Sequence, residues 1–296
     1  MTGSERRQFL TGMGFVSPWL IGFMVFLLMP IGLSFYLSFT DWSLSQARAP
    51  MFVGLANYAD LLRDEVFLKV LVNTVVYAAI ALPAGLLVSL GLALLLNTQA
   101  PGQPLFRTII FLPSLVPIVA SAMLWLWLFN TRVGLINSVL GWFGIAGPGW
   151  LTQSSWALPA LAFMSLWGVG HTVVIYLAGL QDVPRELYES AEIDGASPLR
   201  RLWHVTLPTI SPVIFFNLIM AIIGTFQVFT VPYIMTQGGP DRATYFFSMY
   251  LFDNAFNFPG RMGYASAMAW IQLLIILALT GVAFWTSRRW VHYQGK

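Results

Sequence analysis

Between Pro184 and Pro208 the chain gathers Glu186, Glu189, Glu192, Asp194, Arg200, Arg201 and His204 into one short stretch. The apolar runs on either side, at about 157–180 and 209–231, contain no Asp, Glu, Lys or Arg. Carboxylates at three-residue intervals followed by a basic patch suit ion pairs and charge-assisted hydrogen bonds with another macromolecule. They do not suit catalysis, because no cluster of carboxylates, histidines or Ser/His/Asp supports it. The chain has no cysteine, which excludes disulfides, thiolate metal sites and cysteine nucleophiles. His171, His204 and His292 are far apart and lack metal-ligand spacing.

The elements that must carry this stretch follow from composition. The 296 residues are 57% hydrophobic and only 9% charged, with mean hydropathy +0.73; soluble domains carry about 25% charged residues. That pattern marks an integral membrane protein. A net charge of +3 with scattered basic residues gives no support to nucleic-acid binding. Six apolar runs reach the length needed to span a bilayer, at about 13–39, 71–96, 105–129, 157–180, 209–231 and 262–286. Helix is the default for each, and runs such as 86–96 lack the alternation of a barrel strand. The expected fold class is an all-α membrane protein with six transmembrane helices.

Basic residues set the expected orientation. Arg6, Arg7, Arg107, Arg185, Arg200, Arg201, Arg288, Arg289 and Lys296 fall on one side. Arg48, Arg63, Lys69, Arg132, Arg242 and Arg261 fall on the other, in longer loops. The denser side is expected in the cytoplasm, with both termini. Ser4 to Leu10 superficially resembles a twin-arginine signal, but the apolar run after it is far longer than a signal h-region. Arg6 and Arg7 therefore read as the anchor of an uncleaved first helix. On the outer side, 59–64 reads as a short interfacial helix, Trp142 and Trp150 as aromatic-belt residues, and 236–241 as a turn.

Beyond Arg107 at the start of the third run, the spans hold no acidic or basic side chain. Ion-coupled transporters usually keep such groups in the membrane, and His171 alone reads better as a packed hydrogen-bonding residue than as a relay. The chain also lacks a G-x-x-x-x-G-K-[ST] phosphate loop. Uphill movement of a solute would need energy from a partner, which returns attention to the charged stretch. Pro184 stands where a helix can begin, and Glu186 and Glu189 suit its positive end. Glu186, Glu189 and Glu192 form an uncompensated acidic face, Asp194-Gly195 a stop, and Ser197-Pro198 a second helix start. Composition alone fits a merely solvated loop; the order of residue types favours insertion into a basic groove.

Glu189-Ser190-Ala191, Asp194-Gly195-Ala196 and Val205-Thr206-Leu207-Pro208 resemble the EAA signature of permease subunits of binding-protein-dependent ABC importers. Ser190 replaces an alanine and Val205 an isoleucine, both with size kept. Residues 52–55, Asn57-Tyr58, Asn73-Thr74, Leu180-Gln181, Thr236 and Gly238-Gly239-Pro240 are similar to the sugar-importing branch, so the likeness runs along nearly the whole chain. This resemblance implies a MetI-like permease fold in a bacterial or archaeal cytoplasmic membrane. It also implies a second homologous permease, two cytoplasmic ATPases that hold ATP and Mg, and an extracytoplasmic solute-binding protein; this chain itself would be neither an enzyme nor a cofactor carrier. The coupling helix would be 184–197, with Glu189, Ser190, Ala191, Glu192, Asp194, Gly195 and Ala196 facing the ATPase and Gly195 as the bend. The expected organisation is 1–67 (first span and outer loop), 68–290 (permease core) and 291–296 (cytoplasmic tail).

The fourth and fifth runs flank that helix and hold the candidate pathway. Trp167, Gly168 and His171 stand in the fourth. In the fifth, Asn217, Ala221, Gly224, Thr225 and Val228 follow helical spacing on one face, with Gln227 beside them. Hydroxyl, amide and aromatic groups together fit a sugar, and they fit helix packing equally well. In the maltose-type permease the sugar contacts lie on these two helices; by position they fall here on Met164, Trp167, Gly168, His171, Ala221, Gly224, Thr225 and Val228. Apolar side chains at Met164, Ala221 and Val228 argue against maltose itself. Gln237, Gly238, Gly239 and Pro240 would form an outer turn touching the binding protein, or an ordinary loop. Two other classes remain, an ion-coupled secondary transporter and a membrane scaffold.

Overall fold

The computed structural model describes residues 3–45, 49–98, 101–257 and 260–292. Arg48, residues 99–100 of the 97–104 turn and 293–296 of the expected tail lie outside the described residues. Helices dominate, and among the described residues the only extended pairing is one antiparallel bridge between Thr40 and Phe52. Among the described residues four helices are long and apolar enough to cross a membrane, and two bent pairs bring the number to as many as 6. The chain groups into two compact units, Met1–Asp64 with Leu251–Ile271 and Glu65–Tyr250 with Gln272–Lys296.

In the first unit, α1 (Gly3–Phe23) continues through a π-turn at Met24–Leu28 into α2 (Met29–Leu37). The helix begins ahead of the expected span, so Arg6 and Arg7 lie inside it. Pro30 has no N–H and crowds the carbonyl one turn back; the ladder slips by one residue, with Met29 N–H reaching Met24 O. After α2, Asn57 in the first turn of α3 (Ala56–Arg63) donates to Ser38 O at 2.9 Å and Thr40 O at 2.8 Å. Tyr58 donates to Ser38 Oγ at 2.8 Å. The Asn57-Tyr58 pair thus closes the end of the first span.

In the second unit, α4 (Glu65–Leu96) runs unbroken despite Pro83. The third apolar run is not one straight helix. It is α5 (Gln103–Phe111), a 3-10 turn at Leu112–Leu115, and α6 (Ile118–Leu128), bent by 99°. Pro113 and Pro117 are the cause: the residue before a proline is pushed out of the helical region, and Val116 sits at φ −73, ψ 128. α7 (Leu135–Trp142) follows. The fourth run also breaks, into α8 (Ser154–Ser165), a 3-10 turn at Leu166–Gly168, and α9 (Gly170–Gln181), bent by 50°.

Next come α10 (Arg185–Ile193), α11 (Pro198–Arg201), a π-turn at Leu202–Thr206 and α12 (Leu207–Thr209). The fifth run is α13 (Ser211–Phe226) followed by α14 (Thr230–Met235), which together make one candidate span, Ser211–Met235. α15 (Phe247–Phe252) leads through a π-turn to α16 (Met262–Ser287), the sixth run.

Helices in lipid gain little from apolar burial against one another, so close approach of small residues matters more. Ala93, Ala122, Ala157 and Ala160 are buried where helices meet in the second unit. A Cβ on Gly170 would come within 2.8 Å of Ile110 O and 2.9 Å of Ser114 Oγ, and one on Gly179 within 2.8 Å of Val213 Cγ2. These glycines let α9 press against α5 and α13. Trp150, expected in an aromatic belt, is half-buried, packs on Phe129 and Trp156 and donates to Asn137 Oδ1 at 2.6 Å. Trp142 is 79% exposed.

Candidate functional site

The two helix breaks lie against each other. Irregular backbone at membrane depth leaves polar groups that only protein or a cavity can satisfy. Here it borders a cavity of about 360 Å³ lined by Pro113, Ser114 and Val116 from the first break and Trp167, Gly168 and His171 from the second. Tyr77 on α4 completes the wall. A second cavity of about 310 Å³ continues from it and shares Tyr77, Ser165 and Val228. Asn217, Ala221, Gly224 and Thr225 line this second cavity, which accounts for their common helix face.

Of the pathway residues expected from sequence, Trp167, Gly168, His171 and Met164 thus fall on the first cavity and Asn217, Ala221, Gly224 and Thr225 on the second, with Val228 on both. Gln227 lines neither and caps the end of α13. The polar groups differ in how occupied they are. Thr225 donates to Ala221 O at 2.7 Å and Asn217 to Val213 O at 3.0 Å, both within their own helix. Ser165 donates to Ala162 O at 2.7 Å and is also a hydrogen-bond partner of Tyr77. His171 is exposed and stacks at an angle on Phe111, ring centres 5.2 Å apart. Trp167 lies edge-on to Trp125, with ring centres 6.2 Å apart. The two cavities thus set indole, phenol and imidazole rings beside hydroxyls and an amide, flat apolar faces next to hydrogen-bonding groups. Tyr77, Ser114 and Ser121 were missed by sequence reasoning; Pro113 and Pro117 were the available signal for the last two.

At one end of α9, only three residues separate Gln181 from α10. Pro184, extended at φ −59, ψ 131, caps α10 rather than opening its first turn. The stop is a two-bond left-handed cap: Ala196 N–H reaches Ala191 O at 2.9 Å, Gly195 N–H reaches Glu192 O at 3.0 Å, and Gly195 has φ +72. Ser197 Oγ then accepts from Arg200 N–H at 3.4 Å, with Pro198 at the first helical position. The second arm slips by one residue before Leu207-Pro208, as the first span does before Met29-Pro30; Leu207 N–H bonds to Leu202 O.

The acidic face is not uncompensated. Arg201 reaches back across the glycine turn and its Nη1 donates to Glu192 Oε1. Glu186, Glu189, Ser190, Asp194 and Gly195 remain exposed, while Ala191 and Ala196 are half-buried. Ile193 is 87% exposed and Trp203 62%, so the surface is mixed apolar and acidic rather than acidic alone. Tyr188 turns inward to the cluster of Ala93, Leu96, Val173, Tyr176, Leu177, Leu180, Val183 and Ile210. Its hydroxyl lies 3.0 Å from Thr206 Oγ1.

The 237–240 turn sits at the opposite end of α4. Asn73 Nδ2 donates to Arg242 O at 2.6 Å and Tyr245 O at 3.0 Å, and Thr74 Oγ1 accepts from Phe247 N–H at 3.0 Å. Thr244 donates to Gly239 O at 2.6 Å. Gly238, φ +84, is buried with Tyr245 2.8 Å from where a Cβ would stand. Of the four residues expected to touch a binding protein, Gln237 is exposed and Gly239 and Pro240 are half-buried.

Known proteins agree with this architecture. The chain is 40% identical over 298 residues, 99% of its length and 95% of the other's, to a probable ABC transporter permease, YesP of Bacillus subtilis (strain 168). It is 34% identical to the lactose transport system permease LacF of Rhizobium radiobacter, covering 96% of both chains. A bacterial alginate ABC transporter, crystallised with its alginate pentasaccharide-bound periplasmic protein, contains a chain that superposes with TM-score 0.82 over 96% of each chain at 25% identity. Residues 81–292 match the family described as binding-protein-dependent transport system inner membrane component. The match covers well over half of the chain, and the chain belongs to that family.

Proposed function

We propose that this chain is the permease subunit of an ATP-driven importer for a carbohydrate. One observation carries the reading. Helix α9 places His171, its second residue, on the cavity and ends three residues before the exposed hairpin, so a movement imposed on α10 reaches the cavity wall through one rigid element. Discontinuous helices around a mid-span site are a recurrent basis of alternating access. Lactose and alginate in the names of similar proteins support a carbohydrate solute, and the indole, phenol and hydroxyl lining is compatible with one.

In this reading residues 184–197 are the coupling helix. Glu189, Ser190, Ala191, Asp194, Gly195 and Ala196 meet a cytoplasmic ATPase, and Glu192 shapes the hairpin through Arg201. A second, homologous permease completes the pathway, and two ATPase subunits carry ATP and Mg, none of which this chain binds itself. A solute-binding protein docks near Gln237 to Pro240. The hairpin and both termini face the cytoplasm, in a bacterial or archaeal cytoplasmic membrane. Residues 1–67 form an accessory span and outer loop, and 68–290 the core. Reconstitution tests this: with partner permease, ATPases and loaded binding protein, proteoliposomes are expected to take up sugar only with ATP. Uptake by this chain alone under an ion gradient would sink the proposal.

A further inference from the structure

A third cavity, of about 280 Å³, lies between α5 and α9 close to the end of α4, on the side of the docking hairpin. Ile110, Phe111, Val173, Val174 and Leu177 make its walls apolar, and Arg107 and Gln181 form its polar rim. Arg107 is half-buried. Its guanidinium carries five N–H donors and no acceptor. Among the described residues it makes one long hydrogen bond, Nη2 to Leu96 O at 3.5 Å, to a carbonyl that already accepts from Gln103. Its Nε is buried and has no partner. A buried guanidinium donor without an acceptor is costly, and a bidentate anion is the group that best relieves it.

We infer that this cavity binds an anionic phospholipid of the adjacent leaflet, with the phosphate on Arg107 and one acyl chain along the wall made by Phe111, Val173 and Val174. The charge of the rim selects the headgroup, and the apolar wall selects a lipid over a free anion. Val174 is 48% exposed, so the wall opens toward the surface that lipid would cover. The leaflet is the cytoplasmic one under the proposed function, where basic residues near the membrane meet anionic lipid. The lipid would tie α5 to α9 beside the hairpin, so its natural effect is on coupling rather than on solute recognition. The inference rests on the permease reading but is tested apart from transport.

The test uses the assembled transporter in nanodiscs of equal phosphatidylglycerol and phosphatidylcholine, released into detergent and weighed by native mass spectrometry. Wild type is expected to retain phosphatidylglycerol over phosphatidylcholine by roughly tenfold, as a charge-assisted contact implies. Arg107→Gln is expected to abolish the preference and Arg107→Lys to keep part of it. Val174→Trp, which fills the cavity and keeps Arg107, is expected to lose the lipid as well. Equal retention by wild type and Arg107→Gln overturns the site, as does displacement of the lipid by millimolar inorganic phosphate with no loss in Val174→Trp. Because the same spectra score assembly with the ATPases, either result leaves the importer reading standing.

Discussion

The Tyr188 hydroxyl lies 3.0 Å from Thr206 Oγ1, joining the first arm of the exposed hairpin to the π-turn of the second. Thr206 is 5% exposed, so the contact is shielded from water. A shielded neutral hydrogen bond contributes about 1 kcal/mol. Removing it by Tyr188→Phe leaves the ring packed and frees the two arms to shift. The variant transporter is expected to assemble and hydrolyse ATP while moving less solute per ATP. Parallel uptake and phosphate-release assays on one preparation check this; an unchanged ratio would show that the arms are held without this hydrogen bond, by the Glu192–Arg201 pair and packing.

Gly195 ends the first arm at φ +72, and a Cβ there would meet nothing within 4 Å. Any cost of substitution is therefore conformational, about 1–2 kcal/mol for an ordinary side chain and less for asparagine. Gly195→Asn is expected to retain ATPase subunits on affinity purification, Gly195→Ala to retain fewer, and Gly195→Pro to lose them. Equal recovery of all three would mean that the bend is not part of the contact.

Gly168 and Gly170 stand two residues apart with opposite demands. A Cβ on Gly168 meets nothing within 4 Å, although the residue lines the first cavity; on Gly170 it comes within 2.8 Å of the Ile110 carbonyl and 2.9 Å of Ser114 Oγ. Overpacking of this kind costs about 1–3 kcal/mol. Gly170→Ala is expected to lower the thermal midpoint of the purified transporter, and Gly168→Ala to leave the midpoint alone while raising the solute concentration for half-maximal uptake. A scanning-fluorimetry trace and an uptake curve for each variant decide it.

Much of this was legible in the sequence, and the exceptions have a common cause. The six apolar runs, the glycine stop at Gly195 and the Ser197-Pro198 start depend on neighbouring residues, so local pattern finds them. The breaks at Val116 and Val169 were lost because a hydropathy sum counts Pro113, Pro117, Gly168 and Gly170 as breadth of a run and ignores direction. Tyr77 looked like any residue of a long apolar helix; it faces the cavity only because the two breaks fold back onto α4. The Glu192–Arg201 pair closes across the glycine turn, a distance that helix spacing rules do not cover. Asn73-Thr74 was noticed only as a likeness, since its hydrogen-bond partners lie some 170 residues on.

That long reach makes Asn73 the test of the 236–241 turn. Its side chain satisfies the carbonyls of Arg242 and Tyr245 at once, and Asn73 itself is 5% exposed. Asn73→Ala leaves both acceptors without this donor, at about 1–3 kcal/mol for each that stays dry. The helix can keep its shape, because alanine is the best helix former, so the loss falls on the 236–245 segment. Amide hydrogen exchange there is expected to quicken by tenfold or more, with α9 and α10 unchanged. If the turn is the docking point for the binding protein, ATP hydrolysis stimulated by that protein is expected to fall while basal hydrolysis persists. Faster exchange with full stimulation would separate the two ideas: the turn would be pinned by Asn73, and the binding protein would dock elsewhere.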